Sequence, residues 1–366
     1  VTPLANIRVV DFTEGAQGPF AASLLADLGA EIVKIERPGG ELMRRFGPYV
    51  DGRALPVLTI SHGRAAVAEL DMKDAAQRAT ADELIGAADV LLQNWKIGTD
   101  AKLGLDYATL AAPNPRLVYV RACGYGSRGP LAEMGSMDPL SQAVSGMASL
   151  SGDPAGSGER TRTPLLDFVS AFVTSQAAMI GVAERRRTGR GLLVDTSQLA
   201  AALDLIGPEV ALANLGAVAP AGTESRYYPV GGLFATRDGV WTAIECEADE
   251  EARALAAALG LAEATNATVR EAVLRLDAAA LRRILADAGV PHAAVERPFT
   301  AELFDRLPGA VTRRHDETVG EIRMPETPWL YGRTPAAAGA PLGPVGRDTA
   351  ALPALLRRWQ QRGEVG

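Results

Sequence analysis

Cysteine and histidine are scarce in this 366-residue chain: two cysteines, Cys123 and Cys246, and three histidines, His62, His292 and His315. Two distant thiols build neither a disulfide framework nor a cysteine metal site, so a reducing, cytoplasmic setting is the expectation. The histidines are far apart and no H-E-x-x-H or H-x-x-x-D spacing occurs, so no metal site is expected. A long basic run is also missing and the net charge is −7, which argues against nucleic acid as a partner. No G-x-S-x-G elbow occurs, which excludes a serine hydrolase of the α/β type. The longest apolar stretch, Leu165 to Ala183, is broken by Asp167, Ser170, Thr174, Ser175 and Gln176. It reads as a buried helix, with no membrane span expected. The opening VTPLANIRVVDFTEG has no charged leader before an apolar stretch, so no signal peptide is expected.

What is present is enough apolar material for a large core. Hydrophobic residues are 47% and charged residues 22%, and the length suits about two domains of roughly 150 residues. IRVVDF reads as a buried strand, and GAQGPF turns the chain. Phe20, Leu24, Leu25 and Leu28 share a helical face, Gly29 ends it, and EIVKIE resumes as a strand. This β-α-β unit predicts a parallel sheet. A helix around 79–88, the strand DVLLQNW, a short helix near 107–111 and the strand RLVYVRAC continue the pattern. Long helices are predicted over 164–187 and 195–215, and a linker over 208–226. A smaller α+β unit follows over 227–320. It holds the hairpin LFATRDGVWTAIE, two alanine-rich helices, the strand HAAVER and the strand-rich ETVGEIRMP. Residues 321–366 end in an amphipathic helix, ALPALLRRWQQR.

Several motifs invite a nucleotide. Gly124-Tyr125-Gly126-Ser127-Arg128-Gly129 matches G-x-G-x-x-G after a strand, but LAEMGSMDP follows where a long helix should begin. A structural glycine loop is the better reading. In the first β-α-β unit the turn has only Gly15 and Gly18. Glu36 occupies the ribose-acid position, and Arg37 beside it suits a phosphate, with a surface Glu–Arg pair as the alternative. Arg185-Arg186-Arg187 reads as a solvated helix end. Asp167 lies in a first helical turn, with Thr163 as cap and Pro164 at the first position. The positive helix end is expected to hold it ionised, either as a nucleophile or as a dipole complement only.

The order of segments resembles the family III CoA-transferases (CaiB/BaiF family). The resemblance runs from IRVVDFTEGAQGPFAASLLADLGAEIVKIERPGG through DVLLQNWKIGTDAKLGLDY, NPRLVYVRACGYGSRGP, MDPLSQAVSGMASLSG, LLDFVSAF and RRRTGRGLLVDTSQL to APLGPVGRDTAALPALL. It implies an α/β fold, with a Rossmann-like large domain built from both chain ends (1–207 and 321–366) and the smaller domain between. It implies two chains interlocked as a homodimer. It implies coenzyme A as substrate, carried as acyl-CoA, with a small carboxylic acid as acceptor. Asp167 falls on the family's catalytic aspartate, which forms a mixed anhydride and then an aspartyl-CoA thioester. The CoA-binding positions implied are Gln17, Arg37, Arg64, Asn94, Trp95, Lys96, Lys102, Gly124 and Tyr125. Arg64 stands before Leu70-Asp71-Met72-Lys73, the family's L-D-L-K, in a cluster thinned here to SHGRAAVAE. The α-methylacyl-CoA racemases of the same group carry a histidine where this chain has Met137, which cannot serve as an acid or base, and Glu247 matches their glutamate only loosely. A racemase, or a member recruited to a reaction without CoA exchange, is the alternative.

Overall fold

The computed structural model describes residues 2–152, 158–216, 222, 224–225, 228–296, 301–334 and 336–363. The chain divides into two compact units. One comprises residues 1–148, 160–217 and 307–366, and the other 149–159 and 218–306.

The larger unit is built on a six-stranded parallel sheet. The spatial order is Ala66–Glu69, Glu31–Glu36, Arg8–Asp11, Val90–Gln93, Val118–Cys123, Leu192–Ser197. In chain order this is 3-2-1-4-5-6, the doubly wound Rossmann arrangement, whose order reverses between Arg8–Asp11 and Val90–Gln93. Alternation along the strands feeds two cores. Val9, Ile32, Val90, Leu92, Val118 and Val120 meet Ala22, Leu25, Ala178 and Val182 from helices Gln17–Asp27 and Leu165–Thr188. Val10, Val33, Ile35, Leu91 and Tyr119 face the other way, onto Leu84, Ile85, Leu355 and Trp359. These come from helices Ala75–Ala87 and Leu352–Gly363, so the chain's last helix completes the first domain. The C-terminal helix is also tied to the first strand, because Arg8 donates to the Trp359 carbonyl at 2.8 Å.

Three expectations need correction here. LLVDTS is the sixth strand, not the start of a helix; helices Gln198–Leu205 and Gly207–Asn214 follow it. The linker expected over 208–226 is therefore helical at its start, and 217–221, 223 and 226 lie outside the described residues. The strand-rich ETVGEIRMP does not belong to the smaller unit. It pairs Val311–Asp316 with Gly320–Pro325 inside the larger one, so the return begins near 307 rather than 321. Its packing explains why: Val319 and Ile322 lie against the cluster of Val57, Leu58, Val67 and Leu342.

The smaller unit has an antiparallel sheet, His292–Ala294, Trp241–Cys246 and Val230–Ala235. The expected turn forms with Gly239 at φ 80°, a region glycine enters without strain. Helices Asp249–Leu259, Asn266–Val273 and Ala278–Asp287 cover one face through Leu255, Val269, Leu281 and Leu285.

Candidate active site

The Leu165–Thr188 helix is long and apolar enough to cross a membrane by composition alone, but it packs on the sheet and on helix Gln17–Asp27. Asp167 lies in its first turn and is half-buried. Thr163 does not cap this helix; its carbonyl merely accepts from the Leu165 N–H at 2.7 Å. The cap arrives from another element. Asp138, 3% exposed at the start of helix Asp138–Val144, accepts through Oδ2 from the Leu166 N–H at 2.6 Å and the Asp167 N–H at 3.1 Å. Its Oδ1 accepts from Gln142 Nε2 at 2.5 Å, and Gln142 Oε1 accepts from the Thr161 N–H at 2.8 Å. The positive helix end is thus used by Asp138, an anion that sits beside Asp167.

The electrostatic consequence reverses the expectation from sequence. Burial pushes the Asp167 carboxyl up, the neighbouring Asp138 pushes it further, and a hydrogen bond from Gln198 pulls it partly back, leaving it at about 6. No lysine, arginine or histidine among the described residues is within ion-pair distance of Asp167. Its Oδ1 accepts from Gln198 Nε2 at 2.7 Å, while its Oδ2 has no hydrogen bond among the described residues. Gln198 opens the helix after the sixth strand and is 1% exposed. Its Oε1 accepts from Ser141 Oγ at 2.5 Å and Ser136 Oγ at 3.3 Å. The thiols offer no rival nucleophile, since burial pushes both Cys123 and Cys246 up to about 11.

Gly124 borders this constellation. A Cβ there would stand 2.1 Å from Ser136 Cβ and Oγ, and the Gly124 carbonyl accepts from the Leu199 N–H at 2.9 Å. The glycine therefore makes room for the serine that holds Gln198. Tyr125 beside it is buried, and its hydroxyl has no hydrogen-bond partner among the described residues. The G-x-G-x-x-G loop opens no long helix; the residues after it lead to Asp138–Val144.

Other residues gather where the strand order reverses, at the carboxyl ends of the first and fourth strands. Gln17 begins its helix there, 7% exposed, with Nε2 lacking a partner among the described residues. Asn94 spans the crevice: its Oδ1 accepts from the Glu14 N–H at 2.9 Å and its Nδ2 donates to the Glu14 carbonyl at 2.7 Å. Trp95 packs on Phe12 with ring centroids 5.3 Å apart. Lys96 and Lys102 are exposed and have no ion-pair partner among the described residues. Between them Asp100 accepts from Arg121 at 3.2 Å, which holds the loop to the fifth strand. Gly15 turns the chain at φ 81°, and Gly18 is pressed on Thr13, where a Cβ would lie 2.3 Å from Thr13 Cβ.

Three sequence readings change here. Arg64, a CoA-binding position implied by the resemblance, is an internal brace, 9% exposed. It donates to the Pro19 carbonyl at 2.7 Å, Ser23 Oγ at 2.9 Å and the His62 carbonyl at 2.6 Å, and pairs with Asp11 at 3.2 Å. Those contacts hold its guanidinium inside the fold, with Nε lacking a partner among the described residues. Glu36 and Arg37 do not pair. Glu36 is buried against Arg44 at 2.7 Å, and Arg37 meets Glu14 at 3.0 Å on the surface. Arg185 is no solvated helix end; it is 6% exposed and pairs with Asp89 at 2.8 Å, while Arg187 does remain outside with Glu184. Met137 precedes Asp138 and is 64% exposed, and Glu247 lies in the smaller unit, where its N–H is capped by Glu251 at 2.7 Å.

The larger unit thus joins a doubly wound sheet, with open polar groups at its reversal point, to a raised carboxyl on a neighbouring helix. Residues 4–349 match the model of CoA-transferase family III. Over 273 residues the chain is 32% identical to the beta subunit of succinyl-CoA–L-malate CoA-transferase from Chloroflexus aurantiacus, covering 73% of this chain and 67% of that one. Over 265 residues it is 33% identical to the acetyl-CoA:oxalate CoA-transferase of Acetobacter aceti, covering 71% and 68%. The fold also matches the crystal structure of a CaiB/BaiF family protein from Brucella suis, with TM-score 0.85 and 24% identity over 97% of this chain and 99% of that one. This chain belongs to CoA-transferase family III, enzymes that exchange CoA between thioesters and carboxylates.

Proposed function

We propose that this enzyme moves CoA from an acyl-CoA to a short carboxylic acid through a covalent thioester on Asp167. The observation that carries the reading is the state of that carboxyl. It is half-buried, unpaired with any cation among the described residues, held by one oxygen and free at the other, and raised to about 6. At pH 7 such a group is about nine-tenths ionised, yet more basic than an exposed aspartate, which favours attack on a thioester carbonyl. The attack gives a mixed anhydride and CoA thiolate. The thiolate then forms aspartyl-CoA and releases the donor acid, and the acceptor carboxylate reverses these steps. No proton need be gained or lost, which fits a carboxyl with no histidine beside it among the described residues. Exposed Met137 supplies no acid or base for racemisation.

Gln17, Asn94, Trp95, Lys96, Lys102, Gly124 and Tyr125 are our proposed lining for CoA, with Arg37 at its phosphate end. Two cations unpaired among the described residues and a buried amide lacking a partner there support this, at the place where open α/β sheets bind ligands. The relatives' acids set the test. Succinyl-CoA and acetyl-CoA are offered as donors against malate, oxalate and glutarate, and new acyl-CoA is followed by chromatography. Exchange with at least one pair is expected; deuterium wash-in at the donor α-carbon without exchange would favour the racemase instead. We also propose a homodimer, supported by exposed Phe172, Ile180 and Leu330 on the larger unit. Sedimentation showing only monomer at micromolar concentration would overturn it.

A further inference from the structure

We infer that Gln198 is the oxyanion donor for the carboxyl carbon of Asp167 itself, a catalytic role distinct from binding CoA. The inference rests on Asp167 being the covalent carrier. Within one turnover the Asp167 Cγ is attacked twice. Asp167 Oδ2 first adds to the acyl carbonyl and expels CoA thiolate, forming the anhydride. The thiolate then adds to Cγ, and the carbonyl electron pair moves onto Oδ1. Collapse breaks the Cγ–Oδ2 bond and releases the donor acid with that oxygen. Next the acceptor carboxylate adds to Cγ, again placing negative charge on Oδ1, and thiolate leaves. Finally the thiolate attacks the acceptor acyl carbon and frees Asp167, which keeps one acceptor oxygen as its new Oδ2. Atoms and charge balance without an outside reagent.

Both tetrahedral intermediates therefore put their charge on the atom that lies 2.7 Å from Gln198 Nε2. A fixed donor at that distance is what acyl transfer requires of an oxyanion hole. The usual alternative, backbone N–H groups at a helix start, is closed here. The Leu166 and Asp167 N–H groups already bond to Asp138. The amide is also held in the right sense. A flipped Gln198 would set Oε1 against the carboxylate, acceptor against acceptor, whereas the observed orientation lets Ser141 and Ser136 donate to Oε1. Gln198 is nearly fully buried, so its orientation costs little reorganisation during reaction. Gly124 belongs to the same device, because a side chain there would displace Ser136.

The test uses Gln198→Met, which is similar in length and unbranched but has no donor. Full-length parent and variant are mixed with succinyl-CoA or acetyl-CoA, quenched rapidly, and the CoA thioester on the Asp167 peptide is quantified by mass spectrometry. The variant is expected to label about a hundredfold more slowly. KM for donor and acceptor should change by less than about threefold. The acid limb of its rate profile should move to higher pH, because a hydrogen bond to the ionised form is gone. Ser141→Ala, which only loosens the amide, should slow labelling about fivefold. A folded Gln198→Met protein that labels at the parental rate would overturn the inference and leave Asp167 as carrier. A change in KM alone would do the same and make Gln198 a binding or structural residue. If Gln198→Met does not fold, an unchanged Ser141→Ala rate decides against the inference. A parent that labels with neither thioester would overturn the carrier reading and this inference with it.

Discussion

At the C-terminal end of the Leu165–Thr188 helix, buried Asp89 meets two guanidinium groups; at the N-terminal end, half-buried Asp167 meets another carboxylate. Burial alone would raise Asp89, but hydrogen bonds and charge from Arg8, with Arg185 behind it, hold it below the usual carboxylate range. Arg8 reaches Asp89 at 2.9 Å and Arg185 reaches it at 2.8 Å. Asp167 has only the Gln198 amide, and burial with Asp138 raises it. The contrast separates two uses of a buried acid. One is satisfied and ties the helix to the sheet. The other is left short of positive charge, which destabilises the fold locally and keeps a basic oxygen available.

Substitution at each end should break the comparison differently. Asp167→Asn should lower CoA exchange by four or more powers of ten, about 5 kcal/mol of barrier or more, because an amide cannot form the anhydride. The same variant should be more stable than the parent at pH 8. The sign follows from the raised carboxyl. The native state holds its proton more tightly than the unfolded chain, so ionisation costs stability as pH rises from about 4 through 6, and the full cost is present above that. Roughly two pH units correspond to at most about 3 kcal/mol, reduced for the exposed part. Urea unfolding at pH 8 and pH 4 would show the gain at the first and little at the second. Equal stability at both would mean that Asp167 is an ordinary helix-start acid.

Asp89→Asn should act in the opposite sense. It leaves Arg8 and Arg185 facing each other without a carboxylate and should cost about 3–5 kcal/mol at neutral pH. In the parent this contribution is present above the unfolded carboxyl range and is lost as pH falls through the lowered native value. The pH dependence of turnover should not move. A shifted rate profile in folded Asp89→Asn protein would connect the two ends and spoil the separation.

The smallest effect is expected from Asp138→Asn. Asparagine keeps an oxygen for the Leu166 and Asp167 N–H groups but turns its amide toward Gln142 Nε2, donor against donor, so the cost in stability should be about 1–3 kcal/mol. Removing its charge should lower the Asp167 carboxyl and carry the acid limb of turnover to lower pH. An unmoved limb would leave burial as the sole cause of the raised value.

The strands around the reversal point were legible because they are short, rich in Val, Ile and Leu, and buried on both faces, as in IRVVDF, EIVKIE and DVLLQNW. LLVDTS hid because it is an edge strand with alternating exposure that runs directly into a helix, so local pattern merged the two. Asp167 was visible through resemblance and its place in a first turn. Its partners were not. Nothing local marks Asp138, Gln198 or Ser141, which meet only through the fold. Arg185 was misread for the same reason: its partner Asp89 lies 96 residues away, beyond any charge pattern along one helix.

The most direct test of the central claim is to locate the CoA. The parent enzyme is incubated with acyl-CoA alone, trapped with hydroxylamine, digested and sequenced by mass spectrometry. A hydroxamate at Asp167, absent from Asp167→Asn, is the result expected of an aspartyl-CoA thioester. Steady exchange of CoA between acids with Asp167 unmodified throughout would contradict the account.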